Sequence, residues 1–406
     1  MKIVLLLLIP IFLFSKSLDD VIDIVQNINK AKNHLTHYKS EMENAEASGR
    51  LPDPVINGGY FINSVETKLG PQVYKAGINQ KIPWIGKLSL EREQMIFQAK
   101  TVLSEYYMGI NSETAKLITN IFELNYLDKI IVLRNEIAGL DSSILQYGSN
   151  LIVDDFTKMN GDFMLLNFTN QSEIIKLQNR VLNLNDELFV KYKVHPDSLS
   201  SVLDIIHSME MPITSDLKSN PELMRNNTIS KKLNIVKNRN KKDFYPDFGI
   251  GLDYTVVDDP EMNIKDGGRD IFLVTAQVTV PLDFPSREKK LQSTKLAIEK
   301  NDLEKESIFD ELELSFLKES NNYRTSSDLI NLLNSEIGVL KNISQRNQSD
   351  LTNGIRQKIS SLMDERKIVE KEIMILSTEL SINKSKIKML ELTGNFMPNG
   401  GYFEDK

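Results

Sequence analysis

The 406-residue chain has no cysteine. That excludes disulfides, thiolate metal sites, a cysteine nucleophile and a lipid-bearing N-terminal cysteine. Histidine is scarce at four, and no cluster of histidine and acidic residues at zinc-ligand spacing surrounds any of them. His34 and His37, three apart, read as one solvated helix face. Neither G-x-S-x-G nor H-E-x-x-H occurs. Gly58-Gly59 and Gly267-Gly268 do not open a helix with the Lys-Ser/Thr that a phosphate loop needs. Carboxylates are plentiful but spread over helix faces, so no glycosidase pair stands out. No enzyme activity, cofactor or metal is therefore expected. Positive charge is also short: the formal net charge is −7, which argues against nucleic acid as a partner. Beyond the first residues no apolar run approaches the roughly 20 residues of a transmembrane helix. A membrane crossing by this chain would have to use strands.

The chain opens with Lys2, an apolar run from Ile3 to Phe14, and Ser15-Lys16-Ser17, with small residues at the −3 and −1 positions before Leu18. Residues 1–17 read as a secretory signal peptide. Its loss would remove Lys2 and Lys16 and take the charge from −7 to −9.

From Leu18 onward the chain is two copies of one plan. Leu51-Pro52-Asp53-Pro54 precedes a strand-like run, a turn and Ile82-Pro83-Trp84-Ile85-Gly86-Lys87; Tyr245-Pro246-Asp247 precedes the same series, ending in Val280-Pro281-Leu282-Asp283-Phe284-Pro285. Pro52 to Pro246 is a shift of 194 and Pro83 to Pro281 one of 198. The repeats are placed at residues 18–219 and 220–395, with 396–406 as a tail. Each runs helix, strand, strand, long helix, turn, returning helix.

Four runs, at about 55–64, 72–82, 247–256 and 271–280, alternate with the period of a half-buried strand. One face carries Ile56, Tyr60, Ile62, Tyr74, Ile78, Phe248, Ile250, Leu252, Tyr254, Phe272, Val274 and Val278; the other carries Asn57, Asn63, Lys75, Asn79, Lys81, Asp253, Thr255, Thr275, Gln277 and Thr279. Phe61 and Gln80 break the pattern. A soluble sheet with one wet face gives the same alternation. The run lengths, the charged polar face, and Tyr60, Tyr74, Tyr254 and Trp84 near strand ends match an outer-membrane barrel wall instead, apolar face to lipid and polar face to a lumen. Four strands cannot close such a barrel, since the smallest use about eight. Three copies would pool twelve, wide enough for an aqueous opening.

The helices are long. No proline occurs from Lys87 to about Thr157, and Ile130, Leu133, Ile137, Leu140, Ile144, Tyr147 and Leu151 recur at alternating steps of three and four, a heptad seam. Ile330, Leu333, Ile337 and Leu340 repeat it, and Ile355, Ile359, Leu362, Val369, Ile373, Leu376, Leu380, Ile387 and Leu390 carry it back, with the polar Arg366 and Asn383 in the seam. Helical hairpins are placed at about 87–194 and 286–392. The first return is broken by Pro196 and Pro212, and the helices at about 18–49 and 220–241 supply the missing length. A helix of about 65 residues extends on the order of 100 Å and needs neighbours throughout. Asn160-Gly161 and Asn353-Gly354 are the expected hairpin tips. The fold class is thus mixed α and β, mainly α: a long antiparallel coiled-coil helical barrel joined to four transmembrane strands per protomer.

Leu51-Pro52-Asp53-Pro54, Gln80-Lys81-Ile82-Pro83-Trp84-Ile85-Gly86-Lys87, Asn220-Pro221-Glu222-Leu223, Tyr245-Pro246-Asp247 and Leu390-Glu391-Leu392-Thr393-Gly394, taken together and in this order, resemble the TolC-type outer-membrane efflux protein family. The Pro-Trp-Ile-Gly-Lys stretch is similar to its heavy-metal or cation branch, although the lipidated cysteine of one copper-exporting branch is missing. The resemblance implies a homotrimer in outer-membrane lipid with a twelve-strand barrel, a large periplasmic portion, a periplasmic adaptor (membrane fusion) protein and an inner-membrane pump of RND or ABC type. It also implies acidic side chains at the periplasmic entrance, for which Asp154, Asp155, Asp350 and Asp364 lie within about a dozen residues of the expected tips; a ring of them would bind cations. An exit duct for type I protein secretion uses the same architecture, and a periplasmic coiled-coil scaffold would explain the seams alone.

Overall fold

The computed structural model describes the backbone of residues 17–148, 154–260, 267–349 and 354–398, and the side chains of these except 154–160 and 347–349. Its contacts divide it into two units. Met1–Asn33, Tyr106–Pro221 and Phe309–Lys406 form a helical unit, and His34–Glu105 with Glu222–Ile308 forms a unit that contains the sheet. No helix among the described residues is long and apolar enough to cross a membrane.

The sheet consists of β1 (Val55–Thr67), β2 (Gly70–Ile82), β3 (Asp247–Val257) and β4 (Ile271–Thr279), antiparallel in the order β1-β2-β3-β4. Both hairpins have one register: Val55 faces Asn79 in the first, and Gly249 faces Gln277 in the second, which is the same pair after shifts of 194 and 198. β1 and β2 reach closer together than the alternation indicates. Pairing resumes at Val65–Gln72 and continues to Thr67–Gly70 beyond a register shift between Tyr60 and Val65. Phe61, where the alternation fails, falls in that shift.

The helices are α1 (Leu18–Gln26), α2 (Asn29–Ala47), α3 (Lys87–Gly148), α4 (Asp154–Glu187), α5 (Ser201–Ser208), α6 (Pro221–Lys242), α7 (Phe284–Ser349) and α8 (Ile355–Leu392). The single helix expected at 18–49 is two, divided where Asn27 caps α1 and its side chain donates to the Asp23 carbonyl. α3 and α7 are each split between the two units.

In the helical unit the heptad spacing works as knobs on one face. Ile130 and Ile137 of α3 pack with Val369 and Ile373 of α8, flanked by Leu133, Leu140, Leu177 and Leu376. Nearer the α3 terminus Ile144 meets Ile359 and Leu362, with Leu140, Phe163 and Met363 alongside. Tyr147 is exposed, and Leu151 lies outside the described residues. Leu333 and Ile337 of α7 are buried as well. Arg366 forms an ion pair with fully buried Asp141 at 2.6 Å. Asn383 Oδ1 accepts from His207 Nε2, 3.1 Å away, and its Nδ2 donates to Tyr126 Oη. These two polar seam residues therefore tie specific partners together rather than facing water.

Asn160 and Gly161 do not form a turn. Both lie inside α4. One glycine costs a helix only about 1 kcal/mol, and Phe163, two residues further on, packs against the Ile144 cluster, so burial outweighs the local break. Gly354 does stand at a helix start, capping α8 with φ of 76°, a left-handed backbone that glycine adopts without strain; Asn353 lies outside the described residues.

After α4 the return helix ends in a π-turn at Leu188–Tyr192, a left-handed Lys193, and short helices at Pro196–Leu199, α5 and Thr214–Ser219. This irregular segment is pinned to α8: Lys386 Nζ donates to the carbonyls of His207 and Met209, and Asn220 donates to that of Leu392.

Candidate functional site

Cross-strand pairing sorts the sheet's side chains into rows. Ile56, Ile78, Leu252 and Val274 lie abreast, as do Gly58, Ala76, Tyr254 and Phe272, and then Ile82, Phe248 and Val278. The opposite face stacks Asn57, Gly77, Asp253 and Leu273, next to Asn79, Gly251 and Thr275, with Gly59, Lys75, Thr255 and Ile271 beyond. Gln80 sits in the apolar set, between Ile82 and Ile78, opposite Ile250.

Burial on the two faces is the reverse of a soluble sheet. Ile56, Tyr60, Ile62, Tyr74, Ile78, Phe248, Ile250, Leu252, Tyr254, Phe272, Val274 and Val278 are all exposed. On the polar face Gly251, Asp253 and Thr255 are buried, Lys75, Asn79 and Thr275 half-buried, and Asn57, Asn63, Lys81, Gln277 and Thr279 exposed. Leu252 is 41 % exposed and its neighbour Asp253 only 7 %. Lys75 Nζ lies 3.4 Å from the Asp253 carboxylate. Glycines leave room for this polar layer: a Cβ on Gly77 would strike the side-chain oxygens of Asp253 and Asn57, and one on Gly251 those of Asn79 and Thr275.

At one end of the sheet the marks of the two repeats meet. Trp84, just past β2, stacks between Tyr245 and Phe248, with ring centroids 5.0 and 5.7 Å away. Its backbone N–H donates to Asp247 Oδ1 at 2.9 Å, Lys87 Nζ reaches the same oxygen at 2.8 Å, and Lys81 Nζ stands 3.5 Å from Oδ2. Pro-Trp-Ile-Gly-Lys and Tyr-Pro-Asp are thus two halves of one joint between β2 and β3. Spacing along the chain carries no sign of this contact, because it requires knowing that those two strands are neighbours. At the other end Tyr60 and Tyr74 touch at 5.1 Å, and Tyr254 Oη donates to Asp270.

Of the acidic residues expected at an entrance, Asp154, Asp155 and Asp364 belong to the helical unit. Asp154 and Asp155 form the first turn of α4, with side chains outside the described set, and Asp350 lies outside the described residues. Asp364 is buried on α8, 3.4 Å from Lys367 Nζ. Two residues on, Arg366 joins Asp141 of α3 and Glu370 of α8. Burial pushes the Asp141 carboxyl above its ordinary range, and the Arg366 guanidinium offsets this only in part. Asp141 has no distinguishing mark in the sequence. Among the described residues no group of three or more histidine and acidic side chains could hold a metal ion.

No family model matches the chain, and no curated protein matches it in sequence. Solved structures do. The open state of the Neisseria gonorrhoeae MtrE outer membrane channel matches with a TM-score of 0.73 at 12% identity, over 93% of this chain and 88% of that one. CusC, studied for folding and transmembrane channel formation, matches with a TM-score of 0.71 at 11% identity, over 93% and 91%. The Campylobacter jejuni CmeC outer membrane channel matches with a TM-score of 0.67 at 12% identity, over 94% and 86%. The chain therefore has the fold of outer-membrane channels of the TolC type, the class that the recurrent proline motifs resemble. At these identities the likeness is one of fold.

Proposed function

We propose that this protein is the outer-membrane channel of a tripartite efflux system, conducting substrates passively from an inner-membrane pump across the periplasm and outer membrane. The observation that carries this reading is the inverted sheet, whose large apolar side chains face outward while Asp253 and Thr255 are buried. In water that arrangement wastes apolar burial and strands polar groups; with lipid on one side and a wet lumen on the other it is the favoured one. The sheet has two open edges, β1 and β4, and open edges do not face lipid. Three copies therefore pool their strands in a twelve-strand barrel. Asn57, Asn63, Lys75, Asn79, Lys81, Asp253, Thr255, Thr275, Gln277 and Thr279 line its lumen. The long helices form the periplasmic conduit, a hairpin end docks a periplasmic adaptor, and an RND or ABC pump supplies the substrate. Asp154, Asp155, Asp350 and Asp364, three copies of each, favour cations at the entrance.

Purified protein is expected to run as a heat-sensitive oligomer on unheated gels and to conduct ions in planar bilayers. A monomer that stays soluble without detergent would overturn the proposal. A deletion strain challenged with metals, dyes and detergents reads the efflux role, and unchanged susceptibility to all three would remove it. Lysine at each of the four aspartates, one at a time, is expected to weaken cation block; unaltered block removes that residue from the entrance.

A further inference from the structure

We infer that the open edges β1 and β4 pair between copies in one particular register, with Gln277 opposite Asn57 and Val278 opposite Ile56 of the next copy, and that Asp53 of that copy accepts a hydrogen bond from the Leu282 backbone N–H. This rests on the trimeric reading and adds the seam by which the copies join.

The register comes from the repeat. A residue of β3 minus 194 gives its β1 counterpart, and a residue of β2 plus 198 its β4 counterpart. The hairpin registers obey that rule, since Val55–Asn79 becomes Gly249–Gln277. The β2–β3 seam inside one chain is then the template for the β4–β1 seam between chains. Gln80–Ile250 becomes Val278–Ile56, Asn79–Gly251 becomes Gln277–Asn57, Ala76–Tyr254 becomes Val274–Tyr60, and Tyr74–Val256 becomes Phe272–Ile62. Every one of these apolar edge residues meets an apolar partner and Gln277 meets Asn57, while Lys81–Gly249 becomes Thr279–Val55.

The misfits also find each other. Lys75–Thr255 becomes Leu273–Phe61, joining the residue that breaks the β1 alternation to an exposed leucine on the polar face. A slip of one residue would turn every side chain to the wrong face, and a slip of two would part this pair.

The joint at the end of the sheet transfers as well. Asp247 maps to Asp53, and Trp84, whose N–H Asp247 accepts, maps to Leu282; Asp53 and Leu282 are both exposed in the single chain. Lys87 maps to Pro285, so the joint between copies lacks the lysine and depends on the N–H.

The absence of native cysteine makes the test clean, because only introduced thiols can react. Directly opposed residues of antiparallel strands have Cα atoms about 4.5–5.5 Å apart, inside the disulfide range of about 4.4–6.8 Å. Residues displaced by two are about 7–8 Å apart. Full-length Gln277→Cys/Asn57→Cys protein in outer membranes, oxidised by copper phenanthroline, is expected to give covalent dimer and trimer on reducing-agent-free denaturing gels. Gln277→Cys/Gly59→Cys is expected to give at least tenfold less. Cross-linking favoured in the displaced pair, or closure within one chain, overturns the register. Bilayer conductance of the unoxidised protein reads the channel proposal separately, so a conducting protein with the displaced cross-link loses only the register. Asp53→Ala is expected to lower the temperature at which the oligomer dissociates; an unchanged temperature overturns the joint.

Discussion

The sheet and the α3–α8 seam use one device, apolar residues at a fixed period, and bury opposite sides of it. In the seam Ile137 has no exposed surface and the charged residues of α3 and α8 face outward or pair. In the sheet Leu252, Ile250 and Phe248 face outward and Asp253 is enclosed. Apolar periodicity therefore states which residues share a face, and the medium on either side decides which face is covered. Buried polarity differs in kind too. The seam buries single groups with dedicated partners, Asp141 with Arg366 and Asn383 with Tyr126, while the sheet gathers Asn57, Asp253, Asn79 and Thr275 into one polar layer around glycines, which suits groups that share water.

The contrast can be broken most severely at the seam. Arg366→Ala leaves fully buried Asp141 without its cation, and removal of one partner of such a pair is expected to cost about 3–5 kcal/mol. Thermal unfolding of the purified protein reads the loss, and adding Asp141→Ala should recover much of it. A single mutant as stable as the parent would show that Asp141 is neutral or wet.

In the sheet, Leu252→Lys places a charge at mid-strand on the outer face and is expected to cost about 2–4 kcal/mol. It should reduce the amount of oligomer in the outer-membrane fraction. Asn79→Lys, on the other face, is expected to cost less and to alter conductance instead. Equal damage from both would mean that the two faces meet the same medium.

Acid provides a third comparison, with the smallest expected effect. Burial pushes the Glu123 carboxyl up, but hydrogen bonds and charge from Arg180 and Lys384 outweigh it and hold it below its ordinary 4.5. Burial opposes, and Lys191 and Lys30 likewise outweigh it, at Glu113. A lowered carboxyl adds stability that is present above the ordinary value and is lost as pH falls through the folded one. Melting temperature should therefore drop below about pH 4.5, and Glu123→Gln should flatten that limb while lowering the plateau near neutrality. An unchanged acid limb would indicate that the Glu123 pairs contribute nothing.

Much of the fold can be read from periodicity and punctuation: the period-two runs, the heptad steps and the prolines marking each repeat all depend on neighbours within about a turn of helix or a few strand residues. Other features depend on distant partners and leave little local trace. Asn160-Gly161 reads as a turn, yet both residues lie in α4, where Phe163 packs half-buried against the Ile144 cluster. Tyr-Pro-Asp and Pro-Trp-Ile-Gly-Lys read as separate marks until β3 lies beside β2 and Asp247 takes the Trp84 N–H. Position near the helix ends points to Asp154, Asp155, Asp350 and Asp364, while Asp141, which spacing does not single out, is the one held against Arg366.

The sequence by itself determined the periods, the duplication and which side chains share a face, since these follow from 3.6 residues per turn and two per pleat. Only the tertiary structure decided that Asp247 meets the Trp84 N–H in one joint, and which charges meet across α3 and α8. Those outcomes depend on partners far apart in the chain, and dielectric environment and mutual distance are properties of the assembled neighbourhood rather than of any segment.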